Sequence, residues 1–95
     1  MTEDAQIELI NTLNSFRTMR DKLCVVQIAL ESKKHKVRVN LYNQKEDGTR
    51  KLTEEQIRSL SMVECEAENV AVLKAQADFD NAKESLEVLK LIASN

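Results

Sequence analysis

Residues 33–51 read KKHKVRVNLYNQKEDGTRK, and the way this stretch is folded decides the architecture. Within it Val37, Val39 and Leu41 alternate with Arg38, Asn40 and Tyr42. Alternation of this kind, with β-branched residues and a tyrosine, is the mark of a strand. Glu46-Asp47-Gly48-Thr49 follows, and Asp-Gly is a strong turn signal. The stretch is therefore expected to hold a short β-strand, or a β-hairpin that returns through Thr49 to Leu52. A short one-sided strand is weak alone and would pair with its own copy in a dimer.

Working outward, the preceding arm reads as a helix over residues 2–33. Thr2 is a suitable N-cap, and Glu3 and Asp4 suit the positive end of a helix dipole. Leu9, Leu13, Phe16, Met19, Leu23, Val26 and Leu30 recur at steps of three and four, which is one helical stripe. Ile10, Val25 and Ile28 widen it beyond what one neighbour covers. The following arm reads as a helix over residues 53–93. Thr53-Glu54-Glu55-Gln56 fits a capping box, with Leu52 and Ile57 placed as a hydrophobic staple. Its stripe has two phases: Leu60, Val63, Ala67 and Val70, then Val72, Ala75, Phe79, Ala82, Leu86, Leu89 and Ala93.

Two arms joined by a short segment fold back antiparallel. The expected fold is thus mainly α: a single domain over residues 1–95, a long coiled-coil-like two-helix hairpin with a basic joint at 34–52 carrying the strand. The 95 residues include no Pro, no Trp, one Gly and three aromatics. Aliphatic seams must replace aromatic bulk, and so small a chain of long helices covers its apolar surface by association, as a homodimer or higher oligomer forming a helical bundle.

The charge is segregated. Residues 33–51 hold seven bases against two acids, and the rest of the chain seven bases against fourteen acids. Such asymmetry speaks to partners rather than to fold. Lys33, Lys34, Lys36, Arg38, Arg50 and Lys51 form the candidate anion-binding set, with nucleic acid as the leading partner and an acidic protein as the other. Only Tyr42 is at hand to stack on a base, which is thin for single-stranded nucleic acid. The bland alternative is a solvated run that offsets a helix dipole and the acids of the second arm. A rival function, a protein-binding adaptor or inhibitor, would use Val88, Leu91 and Ile92, which lie off the main seam near the C-terminal end.

Catalysis finds no support. His35 stands alone in a basic run, so neither a metal nor a general-base role has partners. Glu64, Glu66 and Glu68, two apart on a helix, cannot converge on one ion. One glycine excludes a glycine-rich phosphate loop. Cys24 and Cys65 are too few for a disulfide framework or zinc spacing, and in a reducing compartment they read as small buried apolar residues. No cofactor and no metal are expected, no stretch is apolar enough to span a membrane, and the acidic N-terminus is unlike a secretory signal. The cytoplasm is the expected location.

Residues 72–90, with their Ala and Lys spacing and their close on Leu86-Glu87-Val88-Leu89-Lys90, resemble small helical accessory proteins of bacteriophage recombination and replication modules. The resemblance implies a phage-type factor acting on nucleic acid or on host machinery.

Overall fold

A computed structural model describes residues 2–94 and resolves three helices: α1 (Glu3–Glu46), α2 (Glu54–Glu64) and α3 (Glu66–Ser94). No strand occurs among the described residues. The expected strand or hairpin in residues 34–52 is therefore wrong, as is a first helix ending at Lys33. The reason is arithmetical. Val37 and Leu41 lie four apart, and a separation of four suits both an alternating strand and a helical face. Val39 separates the two readings. A strand would place it beside Val37 and Leu41, whereas α1 turns it to solvent at 45% exposure.

Contacts gather the chain into two compact units. One, the turn unit, is Val26–Val72; the other, the terminal unit, joins the residues up to Val25 with those from Leu73 onward.

The turn unit is built around the chain reversal at residues 47–53. Lys45 supplies a cation in the last turn of α1, where the dipole favours one. Gly48 then adopts φ +78, a left-handed conformation that ordinary side chains resist. The Asp47 carboxylate accepts the Thr49 N–H at 2.9 Å, which fixes the turn, and the Thr49 side chain together with that N–H lowers its pKa. The Asp-Gly signal was thus a true turn, joining helices rather than strands. At the start of α2 both halves of the capping box are present: Gln56 N–H donates to Thr53 Oγ1 at 3.2 Å, and Thr53 N–H donates to Gln56 Oε1 at 2.9 Å. Leu52 and Ile57 close the staple inside a cluster with Leu41, against which Val37 and Leu60 pack. Lys33 pairs with Glu68 and Tyr42 with Glu54, so numbers rise along α1 as they fall along its partner, and the hairpin is antiparallel.

The second arm is not one helix. α2 ends at Cys65, whose φ −101 and ψ 12 break the helical run for one residue. Hydrogen bonds persist on both sides, from Cys65 N–H to the Ser61 carbonyl at 3.1 Å and from Asn69 N–H to the Cys65 carbonyl at 2.9 Å. Just before the break the Ser61 hydroxyl donates to the Ile57 carbonyl at 2.7 Å, a back-bond of the type that bends helices. The seam here runs Ile57, Ser61, Cys65 and then Glu68 and Asn69, so Val63, Ala67 and Val70, expected inside, face solvent.

In the terminal unit the N-terminal reading holds. Thr2 Oγ1 accepts the Ala5 N–H at 3.2 Å, and the Thr2 carbonyl accepts from Gln6 at 3.0 Å. Leu9, Leu13, Phe16, Met19 and Leu23 are buried or half-buried, as are Ala75, Phe79, Ala82, Leu86 and Leu89 of α3; Ala93 is exposed. The rings of Phe16 and Phe79 meet with centroids 5.2 Å apart, tilted by 36°. Tilted ring contacts of this kind add to simple area burial.

Candidate functional sites on the two units

Folding α1 through the basic stretch distributes its cations around a cylinder. At 100° per residue, Lys34, Arg38 and Lys45 share one flank of the buried stripe, while Lys33 and Lys36 lie toward the other. Arg50 and Lys51 are exposed on the turn and line a shallow cleft with Leu52, Glu55, Gln56 and Leu60. One continuous six-residue patch is therefore not what the fold makes.

Several of the charges are also answered within the unit. Lys33 Nζ donates to Glu68 Oε1 at 2.8 Å, half-buried on both sides. That bond raises the Lys33 pKa, while the same lysine holds the Glu68 carboxyl below its ordinary range. The second Glu68 oxygen is enclosed without a hydrogen-bond partner, so the carboxylate leans on Lys33 alone among side chains. Lys34 lies 3.5 Å from Glu31, one turn back along α1. Lys45 lies 3.4 Å from Glu54, which also accepts the Tyr42 hydroxyl. The tyrosine's bond is the main cause of a lowered Glu54 pKa, and it raises the Tyr42 phenol in return. Arg38 and Arg58 exert the opposite influence on Tyr42, so Arg58 belongs to this flank although it lies beyond the basic run. Its signal in the sequence was position: four residues after Glu54, one turn along α2. Among the described residues, Lys36, Arg38, Arg50 and Lys51 make no ion pair.

His35 is exposed, and no group of three or more potential metal ligands is gathered among the described residues. Cys65 is fully buried at the α2–α3 break, but Cys24 is exposed, contrary to the expectation of two buried thiols. Among the described residues, no helix is long and apolar enough to cross a membrane.

The alternative set is open to solvent. Val88, Leu91 and Ile92 are 50–67% exposed on α3 of the terminal unit. Ile7, Ile10, Val25 and Leu73 are exposed on the same unit, and Ile28, Val39, Met62, Val63 and Val70 on the turn unit. On α1 the exposed members form separate pairs three residues apart (Ile7 and Ile10, Val25 and Ile28, Val39 and Tyr42), and on α3 they are Val70 and Leu73, then Val88, Leu91 and Ile92, in each case on the side away from the buried seam. Both helices are therefore apolar on two sides, and packing within the chain uses one.

No protein-family model matches this chain, and neither the curated proteins nor the solved structures yield a match.

Proposed function

We propose that this chain is a non-enzymatic interaction protein of the cytoplasm, acting as a homo-oligomer through the outward apolar faces of its helices. One observation carries the reading: among the described residues, thirteen large hydrophobic residues are exposed while seven hydrophobic residues are buried. Contiguous apolar exposure marks contact surfaces. The area agrees. The accessible surface is 7167 Å² for 10.8 kDa, against about 5,500 Å² for a compact monomer of that mass. The excess, about 1,600 Å² on one chain, is about twice what a standard interface removes from each partner. The test is sedimentation equilibrium of the wild-type chain beside a Val88→Ser, Leu91→Ser, Ile92→Ser variant. A wild-type mass above the monomer that falls in the variant supports the reading; a monomeric wild type at all concentrations ends it. The same face would serve an adaptor or inhibitor that engages a second protein.

A second reading keeps the anionic partner, with nucleic acid foremost, and rests on the four cations of the basic stretch that make no ion pair among the described residues: Lys36, Arg38, Arg50 and Lys51. The phage-module resemblance of residues 72–90 points the same way. Binding to single- and double-stranded DNA and RNA at two salt concentrations tests it, since phosphate contacts give an affinity that falls steeply with salt. Replacing those four residues with Ser must flatten that slope. Absence of binding at low salt removes the reading.

A further inference from the structure

On the side away from its buried seam, α1 carries a second repeat. Ile7 and Ile10 stand eighteen residues before Val25 and Ile28. Eighteen residues are five full turns, so the two pairs lie on one face of this single helix, about 27 Å apart. All four are 51–69% exposed. Between them on the same face stand Arg17 and Asp21, both exposed. These two are one turn apart and do not pair with each other. Arg17 makes no ion pair among the described residues, and Asp21 lies 3.5 Å from its neighbour Arg20.

Such a face is its own complement when turned end for end. About a two-fold axis at the level of Thr18, Ile7 meets Ile28 of a second copy, Ile10 meets Val25 and Arg17 meets Asp21, and each contact occurs twice, as an isologous interface requires. Parallel pairing would instead set Arg17 on Arg17 and Asp21 on Asp21, so charge selects the antiparallel arrangement. The outward side of α3 has the same spacing, with Val70 and Leu73 eighteen residues before Val88 and Leu91, but a different centre. The charged residues facing that way between its pairs are Asp80 and Glu84, and a two-fold contact there would set acid against acid. Laying α1 on α3 of a second copy would gather Asp21, Asp80 and Glu84 around Arg17 alone. We infer that α1 of one copy packs antiparallel on α1 of a second copy. The two apolar pairs form the ends of the contact, and reciprocal Arg17–Asp21 ion pairs form its centre. Resting on the homo-oligomer reading above, the inference names the helix, direction and register of one interface. The area has room for it, since the excess surface is about two standard shares, one for α1 and one left on α3.

The decisive experiment exchanges the two charges in the full-length chain. Arg17→Asp and Asp21→Arg, each alone, put like charges at the centre of the contact. Sedimentation of either should show association weakened by about tenfold or more relative to the wild type. Both substitutions in one chain restore opposite signs and should restore wild-type association. An equimolar mixture of the two single variants should associate as well, because each then meets its opposite. Both residues are exposed, so every variant should keep the helical circular dichroism of the wild type, which is checked first. Single variants that associate as the wild type does overturn the inference, because a parallel α1 contact or one made by α3 does not place Arg17 against Asp21. A double exchange or a mixture that stays weak overturns it as well. Either result leaves the oligomer reading intact, with its contact on another face. A wild type that is itself monomeric removes both.

Discussion

The turn unit and the terminal unit use the same material, two antiparallel helical segments, and hold it together differently. Among the described residues, six of the buried ones, Leu30, Leu41, Leu52, Ile57, Ser61 and Cys65, belong to the turn unit, while Leu23 and Leu86 are buried in the terminal one. The turn unit also has the capping box, the staple, the Asx-type bond of Asp47 and two inter-helix ion pairs. The terminal unit has a thin seam centred on Phe16 and Phe79, while the exposed large hydrophobic residues divide almost evenly, seven there and six on the turn unit. Local stability in proteins follows buried contacts and satisfied polar groups, so the turn unit should be the last part to open. What the comparison teaches is that similar outward apolar surface rests on unequal interiors: a well-buried turn unit and a thin terminal seam.

The largest test of this contrast is the removal of Ile57, 2% exposed and shared between staple and core cluster. Ile57→Ala should cost about 2–5 kcal/mol in chemical denaturation, the range for emptying a buried aliphatic site. Phe79→Ala, in the half-buried seam of the terminal unit, should cost less, about 1–2 kcal/mol, because part of the ring is already in water. The reverse order would mean that the terminal unit holds the molecule together. Next comes the cap: Thr53→Ala should cost about 0.5–2 kcal/mol, and Glu54→Gln far less than Ile57→Ala.

Titration probes the turn unit, which holds all three of the groups concerned. Glu54 and Glu68 have lowered pKa values in the fold. Their contribution is complete above the unfolded value, about 4.3, and is lost as pH falls through the lower folded values. Lys33 is raised, so its contribution is complete below the unfolded value, about 10.4, and is lost as pH rises through the folded one. Denaturation midpoints should therefore fall at both extremes, and a Lys33→Gln, Glu68→Gln variant should show shallower limbs on both sides. Unchanged limbs would mean the pair adds nothing. At the small end, Val63→Ser, which the sequence pattern placed inside and the fold places outside, should change monomer stability by no more than about 0.5 kcal/mol.

What could be read from residues alone was what local chemistry specifies. The Thr53 box, the Leu52–Ile57 staple and the Asp47-Gly48 turn each depend on neighbours within five positions, and each is present. The seam from Leu9 to Leu30 was visible because its repeat is long and unbroken. Val37-x-Val39-x-Leu41 misled because three apolar residues in five positions do not distinguish the two periods. The interruption at Cys65 carried no Gly or Pro to announce it, and the buried Ser61 and Cys65 there are small and polar or weakly so, which hid the true seam behind Val63, Ala67 and Val70. Of the candidate sites, the positions of the bases were plain, but their pairing was not. Glu68 answers Lys33 across 35 residues, and that partner follows only once the turn fixes the register between helices.

The two thiols have a practical consequence. Cys24 is open to solvent, whereas Cys65 is fully enclosed at the α2–α3 break, and neither forms a disulfide. A thiol reagent should therefore label the chain in two phases. The prompt phase, at Cys24, calibrates intrinsic reactivity in the same tube. The delayed phase, at Cys65, advances only when the helices around it part. The ratio of the two rates is a clock for the opening of the turn unit under native conditions, with no denaturant and no added probe site.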